Sequence, residues 1–317
     1  MKRSTASRNP RIYWRRLIFS FAVFVAASTD AQQSQENATS IRNALAQPSV
    51  ENSTGTFTGR VAVRAEVDTV PGSINDLIVK TVNKMPNGGD YRASVESIQK
   101  LEAAVKKEGN RLSVDASVAK PSFCSAATYL VFVSALEELS NRGRIEFAPG
   151  VAEKLLVSGQ HDGVGVWGRW NANGPGTARL FQESGLGKNF TSIEQAEPGD
   201  FLKIFWNDQI GAKEFGHSVV YLKHFQNSEG IEVVQYWSSN KKGGYGRAEV
   251  PRSKIKRMLF SRLTNPDRIN NVGNLGTDKY LASMLDRSST PEEMDSKVGV
   301  NEPSRQEPAP GEHRQRD

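Results

Sequence analysis

An α+β domain is what this sequence predicts, and three observations predict it. Apolar residues recur at helical spacing through the first half of the foldable region, as at Val95, Ile98, Leu101 and Val105. From Pro198 onward short strand-like runs replace them: DFLKIFW, HSVVYLKH and IEVVQYW. Asn207-Asp208 with Gly211, and Asn227 to Gly230, punctuate these runs with turn residues, so the strands are expected to pair antiparallel behind the helices.

The chain has 317 residues, and its two ends reduce what can fold. Residues 1–31 carry Lys2, Arg3, Arg8, Arg11, Arg15 and Arg16, then an uncharged run from Leu17 to Ala27, then small residues up to Ala31. This is the layout of a secretory signal peptide, and the apolar run is too short to span a bilayer comfortably. Export to a periplasm or to the outside is therefore expected, with an uncleaved anchor as the alternative. Residues 32–70 are rich in Gln, Ser, Asn and Thr and read as a disordered spacer, with one short strand at 58–67. Residues 286–317 are dominated by Pro, Glu, Arg, Gln and Ser and read as a disordered tail. The folded domain is thus expected over 71–285.

Within it, helices are expected at 74–85 and 91–108, then a strand at 111–118. A long helix opens near Cys124 and stops near Asn141-Arg142-Gly143, and a short one covers 149–157. A glycine-rich stretch at 159–197 holds Trp167, Trp170 and Asn171, with a brief helix at 177–183. Glycines beside exposed tryptophans suit a groove wall that stacks on sugars or flat peptide groups, so these three residues are candidate substrate contacts, although a core position is expected for at least one of the two tryptophans. The strands are placed at 200–206, 217–224, 231–237, 244–250 and 259–263, with a helical piece at 251–258.

The net charge of +6 includes the basic leader, and no basic stripe interleaved with aromatics argues for nucleic acid. No cluster of His, Cys, Asp and Glu stands at metal-ligand spacing and no phosphate loop is present, so neither metal nor cofactor is expected.

The chemistry centres on Cys124, the one cysteine of the chain. A thiol at the first turn of a helix feels the partial positive charge of unpaired backbone N–H groups, which favours the thiolate. In an exported chain a lone cysteine has no internal disulfide partner, which marks it as a reactive thiol. A thiolate nucleophile needs a base near it in space. Of the four histidines, His217 follows Phe215-Gly216 at the start of a strand, and His224, seven residues on, is expected to face the other side by alternation.

A cysteine opening a helix (FCSAATYLVF), Pro-Gly-Asp before a strand (EPGDFLKIFW) and Gly-His before the next (GHSVVYL), in that order, resemble the NlpC-type and CHAP-type peptidases and amidases of the papain-like superfamily. The resemblance covers roughly residues 120–245. It implies a papain-like fold, Cys124 as nucleophile, His217 as base, and a substrate of peptidoglycan or its peptide fragments. Asp200 is expected to be structural. For the third group, which orients the imidazole, the following strand holds no His or acid after Glu232; of its polar residues Gln235, Ser238, Ser239 and Asn240, Ser238 or Asn240 is favoured. Phe123 replaces the Asp that often precedes the nucleophile, and Ser122 is the candidate second oxyanion donor. Implied, then, is a cysteine hydrolase acting on amide bonds of stem peptides. The alternatives are a silent papain-fold module that binds wall fragments or a protein, and a Cys-His acyltransferase. No residue pattern identifies an immunity or regulatory protein, and no membrane span is expected once the leader is removed.

Overall fold

The computed structural model describes residues 72–157 and 160–300. The expected signal peptide, the spacer with its strand and the chain beyond 300 lie outside the described residues.

Two capped helices come first. α1 (Ile74–Lys84) starts at Ser73, whose Oγ accepts a hydrogen bond from Asp76 N–H at 3.0 Å. α2 (Val95–Ala104) starts at Ser94 in the same way. The helix expected at 91–108 is therefore shorter at both ends. Residues 88–92 pair elsewhere, and Val105–Glu108 forms β1 against β2 (Arg111–Val114) around Gly109-Asn110. Val105 continues the helical spacing of α2, but a Gly-Asn pair between two strand-compatible tetrads also specifies a two-residue hairpin, and the hairpin wins. A 3-10 turn at Ala116–Val118 replaces the second half of the strand expected at 111–118.

α3 (Cys124–Asn141) is buried along nearly its whole length, from Ser125 to Leu139, and it contacts α1, α2 and β2 as well as the sheet. A helix apolar on all sides belongs at the centre of a domain. Three short helices follow: α4 (Val151–Lys154), α5 (Gly165–Trp170) and α6 (Gly176–Ser184). α5 lies inside the glycine-rich stretch 159–197, ahead of the one helix expected there. Its Trp167 and Trp170 are each only 2% exposed and pack edge-on against Tyr129 of α3 at 5.1 and 5.5 Å. They belong to the core, and the groove wall expected from them is not formed.

The sheet is six-stranded and antiparallel throughout, with strands β3 (Gly187–Phe190), β4 (Phe201–Phe205), β6 (Gly216–Gln226), β7 (Glu232–Asn240), β8 (Gly244–Pro251) and β9 (Arg257–Leu263) in the order β3-β9-β4-β6-β7-β8. The α+β architecture is thus as the sequence predicts. β3 was not expected, β9 begins two residues earlier than expected, and only the 3-10 turn Arg252–Lys254 remains of the helix placed at 251–258. One face of the sheet meets α3. The other carries a second core that includes Ile204, Val219, Tyr221, Val234, Tyr236 and Phe260.

Two further differences matter. In β6 the register slips by one residue between Tyr221 and Lys223, so that Tyr221 faces Tyr236 while His224 faces Val234. This bulge reverses the alternation, and His224 returns to the face of Tyr221, whose hydroxyl is 2.7 Å from its Nδ1. The opposite-face expectation for His224 fails for that reason. In addition, the fold continues past 285: β10 (Ser288–Ser289) pairs with β5 (Ile210–Gly211), and α7 (Lys279–Ser283) is followed by α8 (Pro291–Val298). Thr290 caps α8, and Met294 and Val298 are fully buried.

Asp200, preceding β4, is wholly buried and structural as expected. It accepts from Arg262 at 2.8 and 2.7 Å, from Asn75 at 2.9 Å and from Glu197 N–H at 2.8 Å, tying α1 to the sheet. Among the described residues no helix is long and apolar enough to cross a membrane.

Candidate active site

Cys124 is the first residue of α3 and is partly exposed. Phe123, at the N-cap, is extended and supplies no side-chain cap, so no side chain competes for the first-turn N–H groups. Packing fixes the helix start instead. Phe123 is 3% exposed and meets Trp167 edge-on at 6.3 Å, and the Ser125 hydroxyl next to the cysteine donates to Asn171 Oδ1 at 2.6 Å. Asn171, expected to touch substrate, is engaged in this tie between α3 and the end of α5.

His217 is the second residue of β6 and lies within hydrogen-bonding reach of the Cys124 thiol. Its Nε2 is 3.2 Å from Asn240 Oδ1 at the end of β7. The Asn240 amide cannot turn round, because its Nδ2 donates to Gly246 O at 2.9 Å and to Ser238 O at 3.2 Å. Its oxygen therefore faces the ring, Nε2 carries the proton and donates, and Nδ1 is left for the sulfur. Trp206 stacks along the ring at 6.5 Å and Tyr236 meets it edge-on at 5.6 Å.

Of the two residues favoured as orienting group, the geometry assigns Asn240. Ser238 donates instead to Ser218 O at 2.7 Å and is completely buried. Ser122 is also unsuited to the part expected of it. It is 3% exposed, and both of its donors are engaged, the N–H with Asp90 O at 3.1 Å and the hydroxyl with Phe123 O at 3.4 Å.

The electrostatics favour a thiolate. Burial pushes the Cys124 thiol up, but the hydrogen bond and charge of His217, the Ser218 N–H and the charge of Lys203 together outweigh it and bring the thiol down to about 6.

Tyr91 was not anticipated. Residues 88–92 run between the start of α3 and the β7–β8 hairpin: Gly88 exchanges hydrogen bonds with Tyr245 at 2.9 and 3.0 Å, and Ser122 N–H donates to Asp90 O at 3.1 Å. Their approach to the hairpin is so close that a Cβ on Gly244, at φ +71°, would stand 1.3 Å from Gly89 O. This brings the Tyr91 phenol near Cys124, and the negative thiolate, followed by burial, holds the phenol strongly in its protonated form. The available signal was Gly88-Gly89 before an aromatic, which the helical pattern of the following residues obscured.

Among the described residues no three His, Cys, Asp or Glu side chains gather where a metal ion could be held. Comparison with known proteins yields no match: no family model, no curated protein and no solved structure aligns with the chain.

Proposed function

We propose that the chain is an exported cysteine hydrolase with a papain-like fold that cleaves amide bonds in peptidoglycan stem peptides. The observation that carries this reading is the series Cys124, His217 and Asn240: a helix-start thiol, a base in reach of it, and an acceptor that fixes the tautomer of the base. The choice of stem peptides rests on the resemblance over residues 120–245, and the export on the composition of residues 1–31.

In this mechanism Cys124 Sγ attacks the scissile carbonyl carbon. The oxyanion is met by the Cys124 backbone N–H and by the Tyr91 hydroxyl, which the neighbouring thiolate keeps protonated. Protonated His217 gives its Nδ1 proton to the leaving amine, and a thioester remains on Cys124. His217, now neutral, takes a proton from water, whose oxygen attacks the thioester. The acid product leaves, and the thiolate and protonated imidazole are restored. Asn240 accepts from Nε2–H throughout and keeps the ring in line.

The test is release of soluble muropeptides from purified sacculi. Release by the wild type and its loss in Cys124→Ala is expected, whereas equal release by both proteins would overturn the reading. An added amine captured in the product in place of water would redirect it to acyl transfer. The binding-module reading has lost the surface it rested on, since Trp167 and Trp170 lie in the core.

A further inference from the structure

The run DFLKIFW sets a lysine between core phenylalanines, and no step above uses it. Phe201, Lys203 and Phe205 alternate onto the face of β4 that meets α3, where Phe201 packs edge-on against Trp170 and Phe132 at 5.1 and 6.1 Å. The Lys203 side chain is 15% exposed and donates to Glu214 Oε1 at 2.6 Å. Glu214, its side chain 2% exposed, is held in turn: its other oxygen accepts from the N–H groups of Gly174 and Gly211 at 2.6 and 2.9 Å. A buried ion pair adds little stability, because the loss of water around two charges offsets most of their attraction, so another role is indicated.

The pair lies directly against the segment that carries the base. Lys203 is the register partner of Ser218 and Phe205 that of Gly216, with His217 between the two. A Cβ on Gly216 would fall 2.9 Å from Lys203 Cε and 3.0 Å from both Lys203 Nζ and Glu214 Oε1. Lysine and glutamate thus fill the place of a side chain at 216, the residue before His217. The residue after it is engaged as well: the N–H of Ser218 reaches the Cys124 thiol, and Ser218 O accepts from the Ser238 hydroxyl at 2.7 Å. The titratable and charged groups that interact with the thiol are His217, Lys203, Tyr91 and Tyr236. Lys203 also acts on Asp162, which burial and then Glu214 lift to about 7.

We propose that Lys203 is a positioning residue: braced by Glu214, it holds the segment from Gly216 to Ser218, and with it the His217 ring and the Ser218 N–H, against the Cys124 end of α3. The reaction it serves rests on the proposed function; its hold on the thiol and imidazole does not. Iodoacetamide labelling of Cys124 in the full chain needs no substrate and reads that hold. In Lys203→Met the labelling midpoint is expected to rise by about half a pH unit, so that the rate at about pH 5.5 falls roughly threefold. Lys254→Met, at an exposed position, should match the wild type. An unshifted midpoint in Lys203→Met would overturn the proposal. Loss of the lysine alone leaves a buried negative charge on Glu214, which by itself would lift the thiol. Lys203→Met/Glu214→Gln therefore separates charge from position, and it also serves should the single variant fail to fold. With both charges gone, a midpoint that stays raised is expected; a return to the wild-type midpoint would mean that Lys203 only neutralises Glu214, and the proposal would be lost. With stem peptides, Lys203→Met is expected to lower kcat about tenfold with KM within about twofold of wild type, and a loss confined to KM counts against positioning. Sacculus digestion by Cys124→Ala and labelling of the Lys203 variants are independent readouts, so either reading can fail while the other stands.

Discussion

The two sides of the site are held in different ways. On the cysteine side, an uncapped helix start is fixed by apolar packing of Phe123 on Trp167 and of Trp167 on Tyr129. On the histidine side, the ring is aimed by a chain of directional hydrogen bonds from Asn240 to Gly246 and Ser238. Packing fixes position and is shared with global stability. Hydrogen bonding fixes direction and contributes little to stability when solvent can replace it. Damage on the cysteine side should therefore appear in unfolding, and damage on the histidine side in rate alone.

Four variants can break or sharpen that contrast. His217→Ala is expected to lower turnover about a thousandfold or more. It also removes the largest influence drawing the thiol down, so the midpoint of iodoacetamide labelling, expected near pH 6 in the wild type, should move upward because the thiolate then forms only at higher pH. An unchanged labelling midpoint would show that His217 does not reach the sulfur. Trp167→Ala should cost about 3–5 kcal/mol of unfolding free energy in a denaturant titration, and a loss under about 1 kcal/mol would mean that packing does not hold the cysteine side. Tyr91→Phe should reduce kcat roughly a hundredfold while KM and the melting temperature stay close to wild type, as befits a donor used at the oxyanion. Asn240→Ala should lower kcat about tenfold with little change in melting temperature, and a large fall in melting temperature would place Asn240 with the packing residues.

How much of this was legible in the sequence differs between local and distant features. α3 and the strands β4, β6 and β7 could be read because each is strongly patterned, and Cys124 and His217 mark the starts of two of them. Asn240 was one of two candidates that alternation left open. The choice fell to the neighbouring hairpin: Gly246 O turns the amide, and no pattern in β7 reports that. Tyr91 escaped because an isolated bridge to Ser122, formed across thirty-one positions, lies beyond any local period. Glycines around the two tryptophans suggest a groove wall, and a core position was expected for at least one; both are in the core because Tyr129 of α3 offers each an aromatic partner. The C-terminal helix was hidden by composition, although Thr290-Pro291-Glu292-Glu293 is a recognisable helix start.

That last segment bears on where the chain can be shortened. β10 pairs with Ile210 and Gly211, and the N–H of Gly211 is one of the two that hold Glu214. A protein ended at 286, where composition invites the cut, would lose α8 along with the strand that steadies the Glu214 turn. Trimming after residue 300 would leave both in place, and with them the charge balance among Lys203, Glu214 and Asp162.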